Sequence, residues 1–250
     1  MKPIIKEIQV RSVLSKTGIP GMKYCINPYV GCAHACRYCY ATFMKRFTGH
    51  LEPWGSFVDV KINAPEVLRR ELKRAEKGGI ILSSVTDPYQ PLEAKYQITR
   101  KCLEVLTLFQ FPVDILTKSP LVLRDIDIIS RLKNAEVGIT ITTDDEGIRK
   151  IFEPKAPTVH VRIEALKKLH ETGIKTYAFI GPVLPMNPEN LSRQVKPYVN
   201  HVLIDRMNYE NRIRWLYKRH GIEKWLDNKY IDSIISRLRE GLSPRDVEVC

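Results

Sequence analysis

The sequence predicts an α/β fold: a partial, TIM-like (β/α)6 barrel of parallel strands over residues 1–205, followed by a C-terminal helical extension over residues 206–250 packed on it. Three observations carry this. Short apolar runs of strand length alternate six times with longer, charged stretches of helical period. The connections are long enough for crossovers, and right-handed crossovers set the strands parallel with the helices outside. The polar and reactive residues collect just after the strand runs, at the end of the sheet where such folds place their chemistry.

Residues 1–20 are a polar, basic lead-in closed by the turn Gly18-Ile19-Pro20-Gly21. A strand is predicted over 23–30, with Tyr24, Ile26 and Val30 apolar at even spacing, and a cysteine-bearing loop follows it directly. A helix over 37–48 ends near Gly49, and Pro53-Trp54-Gly55 marks a connection. Pro65 opens a helix over 66–77 that Gly78-Gly79 stops. Residues 80–85 form the second strand, apolar on both faces at first and polar at its carboxyl end, as a buried parallel strand should be.

The alternation continues with a helix over 97–110, a strand over 113–117, a helix over 121–132 and a strand over 137–142. Glu153-Pro154-Lys155-Ala156-Pro157 leads into a helix over 158–171, where Val161, Ala165 and Leu169 recur every four residues until Thr172-Gly173. Strands over 175–180 and 201–204 flank a helix near 189–198. Beyond Asp205 the pattern changes. Residues 206–224 carry six basic and two acidic residues interleaved with Tyr209, Trp215 and Tyr217. That mixture suits phosphate contact with base stacking, and equally a helix packing its aromatic side on the barrel. Ile231, Ile234, Ile235 and Leu238 form one face of a final amphipathic helix.

Forty basic against 28 acidic residues leave a net charge of +12, which favours polyanions through counterion release, so a nucleic acid is an expected partner class. An evenly spread basic surface can also be merely solvated. No apolar run is long enough to span a membrane, and the amino terminus lacks the apolar core of a secretory signal. A reducing cytoplasm, with no membrane partner, is the expected setting.

The chemistry is concentrated in Gly31-Cys32-Ala33-His34-Ala35-Cys36-Arg37-Tyr38-Cys39-Tyr40. Cys32, Cys36 and Cys39 follow a C-x3-C-x2-C spacing that suits three corners of a cuboidal iron–sulfur cluster, leaving one iron open to a ligand. A structural zinc site would need a fourth ligand, for which Cys25 and His34 are the candidates. A disulfide framework does not fit cysteines crowded into one loop of a chain this long.

This loop resembles the cluster motif of radical S-adenosylmethionine (SAM) enzymes, in which an aromatic residue, here Tyr38, precedes the third cysteine. Together with Thr86-Asp87-Pro88-Tyr89-Gln90-Pro91 it is similar to the branch related to spore photoproduct lyase, sometimes described as DNA repair photolyases. The resemblance implies a [4Fe-4S] cluster on Cys32, Cys36 and Cys39, and SAM chelated by the open iron. It also implies an electron from an external donor of flavodoxin or ferredoxin type, and cleavage of SAM to a 5′-deoxyadenosyl radical. It places the SAM site at Tyr38, Ser84, Thr86, Asp87, Lys118, Thr140 and Arg162, with Glu153 a lesser candidate. Lyase-type action on a nucleic acid follows as the first substrate expectation. Those lyases carry a cysteine hydrogen donor just after the second strand where this chain has Val85, leaving Cys25 and Cys102 as candidates. Radical modification of a peptide, an RNA base or a small metabolite is the enzymatic alternative, and a non-catalytic iron–sulfur electron carrier or sensor the alternative of another class.

Overall fold

The computed structural model describes residues 3–250, so the first two residues of the lead-in lie outside it. The expected strands are all present: β3 (Tyr24–Ile26), β6 (Ile80–Leu82), β7 (Val113–Thr117), β8 (Ala135–Thr140), β9 (Lys175–Ile180) and β10 (His201–Ile204). They lie side by side, each parallel to the next. The chain ends in a strand that sequence reading missed, β11 (Asp246–Val249), which extends the sheet in parallel beyond β10. At the opposite edge β2 (Leu14–Lys16) runs antiparallel to β3, so the barrel is an open one.

Alternation along the strands divides the side chains. Val113, Ile115, Val137, Ile139, Ala178, Ile180, Val202 and Ile204 face the helices and belong to the core. The residues between them line the lumen. Outside the sheet stand α2 (Ala64–Leu72), α4 (Ile98–Phe109), α7 (Val159–Glu171), α8 (Pro188–Val195) and α10 (Asn228–Leu242). The last is the predicted amphipathic helix, burying Ile231, Ile234, Ile235 and Leu238.

Several elements differ from expectation. The strand over 23–30 breaks at Asn27-Pro28, and its second half, β4 (Tyr29–Val30), joins a small sheet with β5 (Phe57–Lys61) and β1 (Ile4–Ile8). Ile4 and Ile5 are exposed, which is why β1 reads as a polar lead-in. α2 stops at Leu72 because its apolar stripe ends there. The region 37–48 is not one helix but a 3-10 turn, Tyr40–Met44, followed by α1 (Lys45–Thr48). Residues 121–132 likewise resolve into the 3-10 turn Pro120–Asp125 and α5 (Ile126–Ile129), pulled together by Asp125, whose buried carboxylate takes Arg100 and Arg124. Short helices α3 (Glu93–Tyr96), α6 (Glu146–Phe152) and α9 (Arg214–Arg219) complete the chain.

The lower lumen holds a polar cluster. Tyr177 donates to Asp114 at 2.9 Å and stacks on His201, which sits 3.1 Å from Glu136, and Lys175 lies 3.4 Å from the same glutamate. Gly138 is required there, since a Cβ would fall 2.1 Å from the Tyr177 ring. Burial raises the Asp114 carboxyl to about 6, with Glu136 adding to the rise and Tyr177, His201 and Lys175 opposing it. A carboxyl raised on folding stabilises only while protonated, so this contribution is complete below about pH 4 and lost as pH climbs through about 6. Glu136 works oppositely, because His201 and Lys175 outweigh its burial and hold it down, so its contribution is lost only in more acid solution. Asp114→Asn is therefore expected to flatten the stability profile between pH 4 and 7, gaining on the order of 2 kcal/mol over the parent at pH 7. Denaturation midpoints across that range check it; parallel profiles would count against it.

Candidate active site

The cysteine loop leaves β4 at the carboxyl ends of the parallel strands, and its path is fixed by tight packing. Gly31 has φ +83° and no room for a side chain, a Cβ there falling 2.5 Å from the Phe57 carbonyl. Gly55, at φ +88°, is pressed against Ala35 in the same way. Cys32 and Cys36 are buried and Cys39 half-buried, and each is a free thiol. Burial raises all three, Cys36 to about 12, while Lys118 opposes the rise at Cys36 and Cys39.

Two segments strap this loop from outside. Gln90, fully buried, takes the Ala33 N–H at 3.0 Å and donates to the Gly31 carbonyl at 3.2 Å, and the Thr86 hydroxyl donates to that carbonyl at 2.6 Å. On the other side the Arg37 amide reaches the Phe152 carbonyl at 2.8 Å. Tyr38, between two of the thiols, donates its phenol to Glu153. Glu153 is completely buried and is also met by Arg162 and by the Thr142 hydroxyl at 3.1 Å. Burial would raise its carboxyl, but Arg162 and Lys118 outweigh it and hold Glu153 down to about 2.

The residues expected around SAM gather at this face in three different situations. Arg162 spends its guanidinium inside the protein, on Glu153 and on the Pro157 and Thr140 carbonyls at 3.0 and 3.2 Å. Asp87 is equally committed, accepting from Tyr89 N, Thr117 Oγ1 and Lys118 N at 2.9, 2.6 and 2.9 Å, with His34 Nε2 at 3.3 Å. Burial opposes ionisation of Asp87, yet the imidazole and these donors hold it at about 2. Thr140 is buried through its β8 position. Lys118 keeps donors free: its nearest carboxylate oxygen is 3.9 Å away, and its ammonium lies 5.8 Å from the Tyr38 ring centroid. Ser84 is half-buried, with its amide on Asn27 at 3.0 Å and its carbonyl taken by the Tyr40 phenol.

Sequence reasoning missed two participants and gave a third too small a part. Gln90 was visible in the Thr86–Pro91 motif, but only its contacts reveal a clamp. Glu153, a lesser candidate from the sequence, is bonded by Tyr38, Arg162 and Thr142 together. Trp54, read as part of a connection, has a buried indole N–H without a protein acceptor and lies against Cys39. Of the candidate hydrogen donors, Cys102 is wholly buried in the helix layer, and Cys25 lies on β3 beside Asn27, 3.6 Å away.

The donor set fits an iron–sulfur cluster. Three free thiols share one loop, and unpartnered buried donors, Trp54 Nε1 and His34 Nδ1, lie beside it where thiolate or sulfide could accept from them. The two residues considered as a fourth zinc ligand have other neighbours: Cys25 lies beside the Asn27 amide and His34 Nε2 faces Asp87. Trp54→Phe is expected to make the potential of the bound cluster more negative, since an N–H donor to a ligating thiolate favours the reduced state. A redox titration at unchanged iron content measures this, and an unmoved potential would rule Trp54 out as a donor.

A parallel open barrel with a three-thiol loop over its strand ends defines a class of iron–sulfur enzyme that works on SAM. The chain belongs to the radical SAM superfamily, whose family model matches residues 26–195. It is 36% identical to an uncharacterized protein of Methanocaldococcus jannaschii over 247 residues, 94% of this chain and 93% of that one. A radical SAM Nalpha-GlyT isomerase of Pseudomonas phage M6 is 25% identical over 161 residues, 64% of this chain and 33% of the isomerase. The fold is similar to that of spore photoproduct lyase solved with a dinucleoside spore photoproduct, with TM-score 0.70 and 14% identity over 98% of this chain and 81% of that one. Membership implies an enzyme with SAM and a [4Fe-4S] cluster as cofactors. No described helix is long and apolar enough to cross a membrane.

Proposed function

We propose that the protein is a radical SAM enzyme acting on a nucleic acid, with the cluster on Cys32, Cys36 and Cys39 and an external flavodoxin- or ferredoxin-type donor. When bound, the cluster and SAM supply a 5′-deoxyadenosyl radical that abstracts hydrogen from a substrate. The observation that carries the reading is the buried thiol loop whose Tyr38 is held by Glu153, beside a lysine with hydrogen-bonding capacity to spare. Lys118 is the cation that meets the SAM carboxylate or ribose, because Arg162 is consumed by Glu153 and two carbonyls. Arg162 and Glu153 act instead by positioning Tyr38. Thr86, Gln90 and Asp87 hold the loop and the strand ends rigid, and the burial of Cys32 and Cys36 excludes water.

The nucleic-acid part rests on charge and on the extension. α9 turns Leu216 and Tyr217 inward, Tyr217 meeting Phe152 at 5.0 Å, while Arg214, Lys218 and a 52% exposed Trp215 face out. The helix packs and still leaves a basic, aromatic face free. The shared fold with a lyase solved holding a dinucleoside supports the same class of substrate. Val85 stands where that lyase branch has its cysteine, so lyase chemistry is not carried over with it.

The test is anaerobic. The reduced protein's electron paramagnetic resonance spectrum should change on adding SAM, and deoxyadenosine should appear with dithionite. An unchanged spectrum and no deoxyadenosine would leave an electron carrier. Affinity for oligonucleotides should fall steeply with salt, and replacing Arg212, Arg214 and Lys218 by glutamine should lower that slope by about one unit per lost phosphate contact. Absence of binding at low salt would move the substrate to a peptide or metabolite.

A further inference from the structure

Three aromatic rings stand in a row at the mouth of the barrel, drawn from two distant parts of the chain. Tyr209, in the segment after β10, lies 6.4 Å from Tyr40 with the planes 20° apart, and Tyr40 lies 6.3 Å from Phe43 at 25°. Tyr40 immediately follows the cluster residue Cys39, and its phenol is tied to the Ser84 carbonyl. Arg212 caps the far end of the row, 4.8 Å from the Tyr209 ring centroid, and bonds Thr42 Oγ1 at 3.1 Å, joining the two segments. The row is held in place, yet it is open to solvent: Tyr40 is 42%, Phe43 37% and Tyr209 46% exposed, and Phe47 beyond them 75%.

Large rings gain most when buried, and a contiguous set left exposed marks a surface that something covers. The chemistry around the row says what. Arg37 and Arg46, on the segment that carries Tyr40 and Phe43, and Arg212, on the segment of Tyr209, are exposed, while Glu210, next to Tyr209 in the chain, is paired with Arg214. The surface therefore combines near-parallel ring faces with cations placed for phosphates. Duplex bases keep their faces inside the stack, and an acidic electron carrier would use the charges without needing the ordered rings.

We infer that Tyr209, Tyr40 and Phe43, with Arg212, form a stacking platform that takes successive bases of a single strand and leads it to the cluster loop. This rests on the nucleic-acid reading and adds to it the strand's form and where it lies.

The test uses the cluster-loaded, SAM-bound protein and two fluorescent probes of equal length and charge, oligothymidylate and the same backbone with abasic sites. The parent should bind the base-bearing strand about tenfold or more tighter than the abasic one. Phe43→Leu and Tyr209→Leu should each weaken the base-bearing strand by roughly 5- to 100-fold, without changing abasic affinity, salt slope, iron content or melting temperature. Tyr209→Phe, which keeps the ring, should bind as the parent does. Arg212→Gln should instead lower the salt slope by about one. Equal affinity of the parent for both probes, or leucine variants that bind as the parent does, overturns the platform and leaves charge-driven nucleic-acid binding intact. Leucine variants that bind DNA normally but slow cluster reduction by a flavodoxin also overturn it, making the row a docking surface for the reductant. Binding of neither probe by the parent overturns platform and nucleic-acid reading together.

Discussion

Alanine at any one of Cys32, Cys36 or Cys39 is expected to strip the protein of its cluster, from about four irons per chain to near zero, and with it all cleavage of SAM. The three thiols are not interchangeable with the rest. Cys102 is sealed in the helix layer, Cys25 sits on a strand, and Cys250 lies exposed at the chain end. Alanine at those three should leave iron content and the reduced-cluster spectrum unchanged. The effect at the loop is large because the site is costly without metal. Burial pushes the thiols up, so ionising them is repaid only by iron, and two thiolates cannot hold the cluster that three do. Iron retained after loss of any loop cysteine, or lost with Cys25, would change the ligand set.

The second large effect is expected at the buried pair behind the loop. Arg162→Met leaves Glu153 ionised at zero exposure with only Lys118, Tyr38 and Thr142 for company, a situation that costs about 3–5 kcal/mol. In a chain of this size that is a fall in melting temperature of roughly 10 °C or more. Adding Glu153→Gln to Arg162→Met should recover part of the loss, since the stranded charge rather than the missing bond is the main penalty. The double variant should also load iron poorly, because Tyr38 loses the carboxylate that anchors it between Cys36 and Cys39. If the double variant is no more stable than the single one, the pair is not the source of the penalty.

What could be read from the sequence was what local pattern controls. The strands over 113–117, 175–180 and 201–204 were placed to the residue, since β-branched and aromatic alternation between turn signals specifies them without help from afar. The thiol spacing pointed to the radical SAM family because three close ligands are a local feature too. What escaped depends on distant partners. β11 is short and charged, and is a strand only because β10 offers it an edge. The region 37–48 has helical composition but is pulled into a 3-10 turn after a loop that must spread three thiols. Arg162 was expected to face SAM, and nothing in the helix period reveals that Glu153 already holds it. Trp215 could not be assigned to core or surface from its neighbours; it is exposed, while Tyr217 two residues on is buried.

The straps around the cysteine loop also set an order of events during folding. Tyr38 waits for Glu153, 115 residues later, and Thr42 for Arg212, 170 residues later. Closing such spans carries an entropic cost that only the rest of the barrel can offset, and a chain synthesised from its amino end presents the thiols long before their enclosure exists. The pocket is thus a late-forming part of the molecule, and its cysteines pass through synthesis unprotected. Pulse alkylation during refolding of the metal-free protein should find Cys36 reactive after Cys102 has become shielded; simultaneous protection of the two would refute this sequence of events.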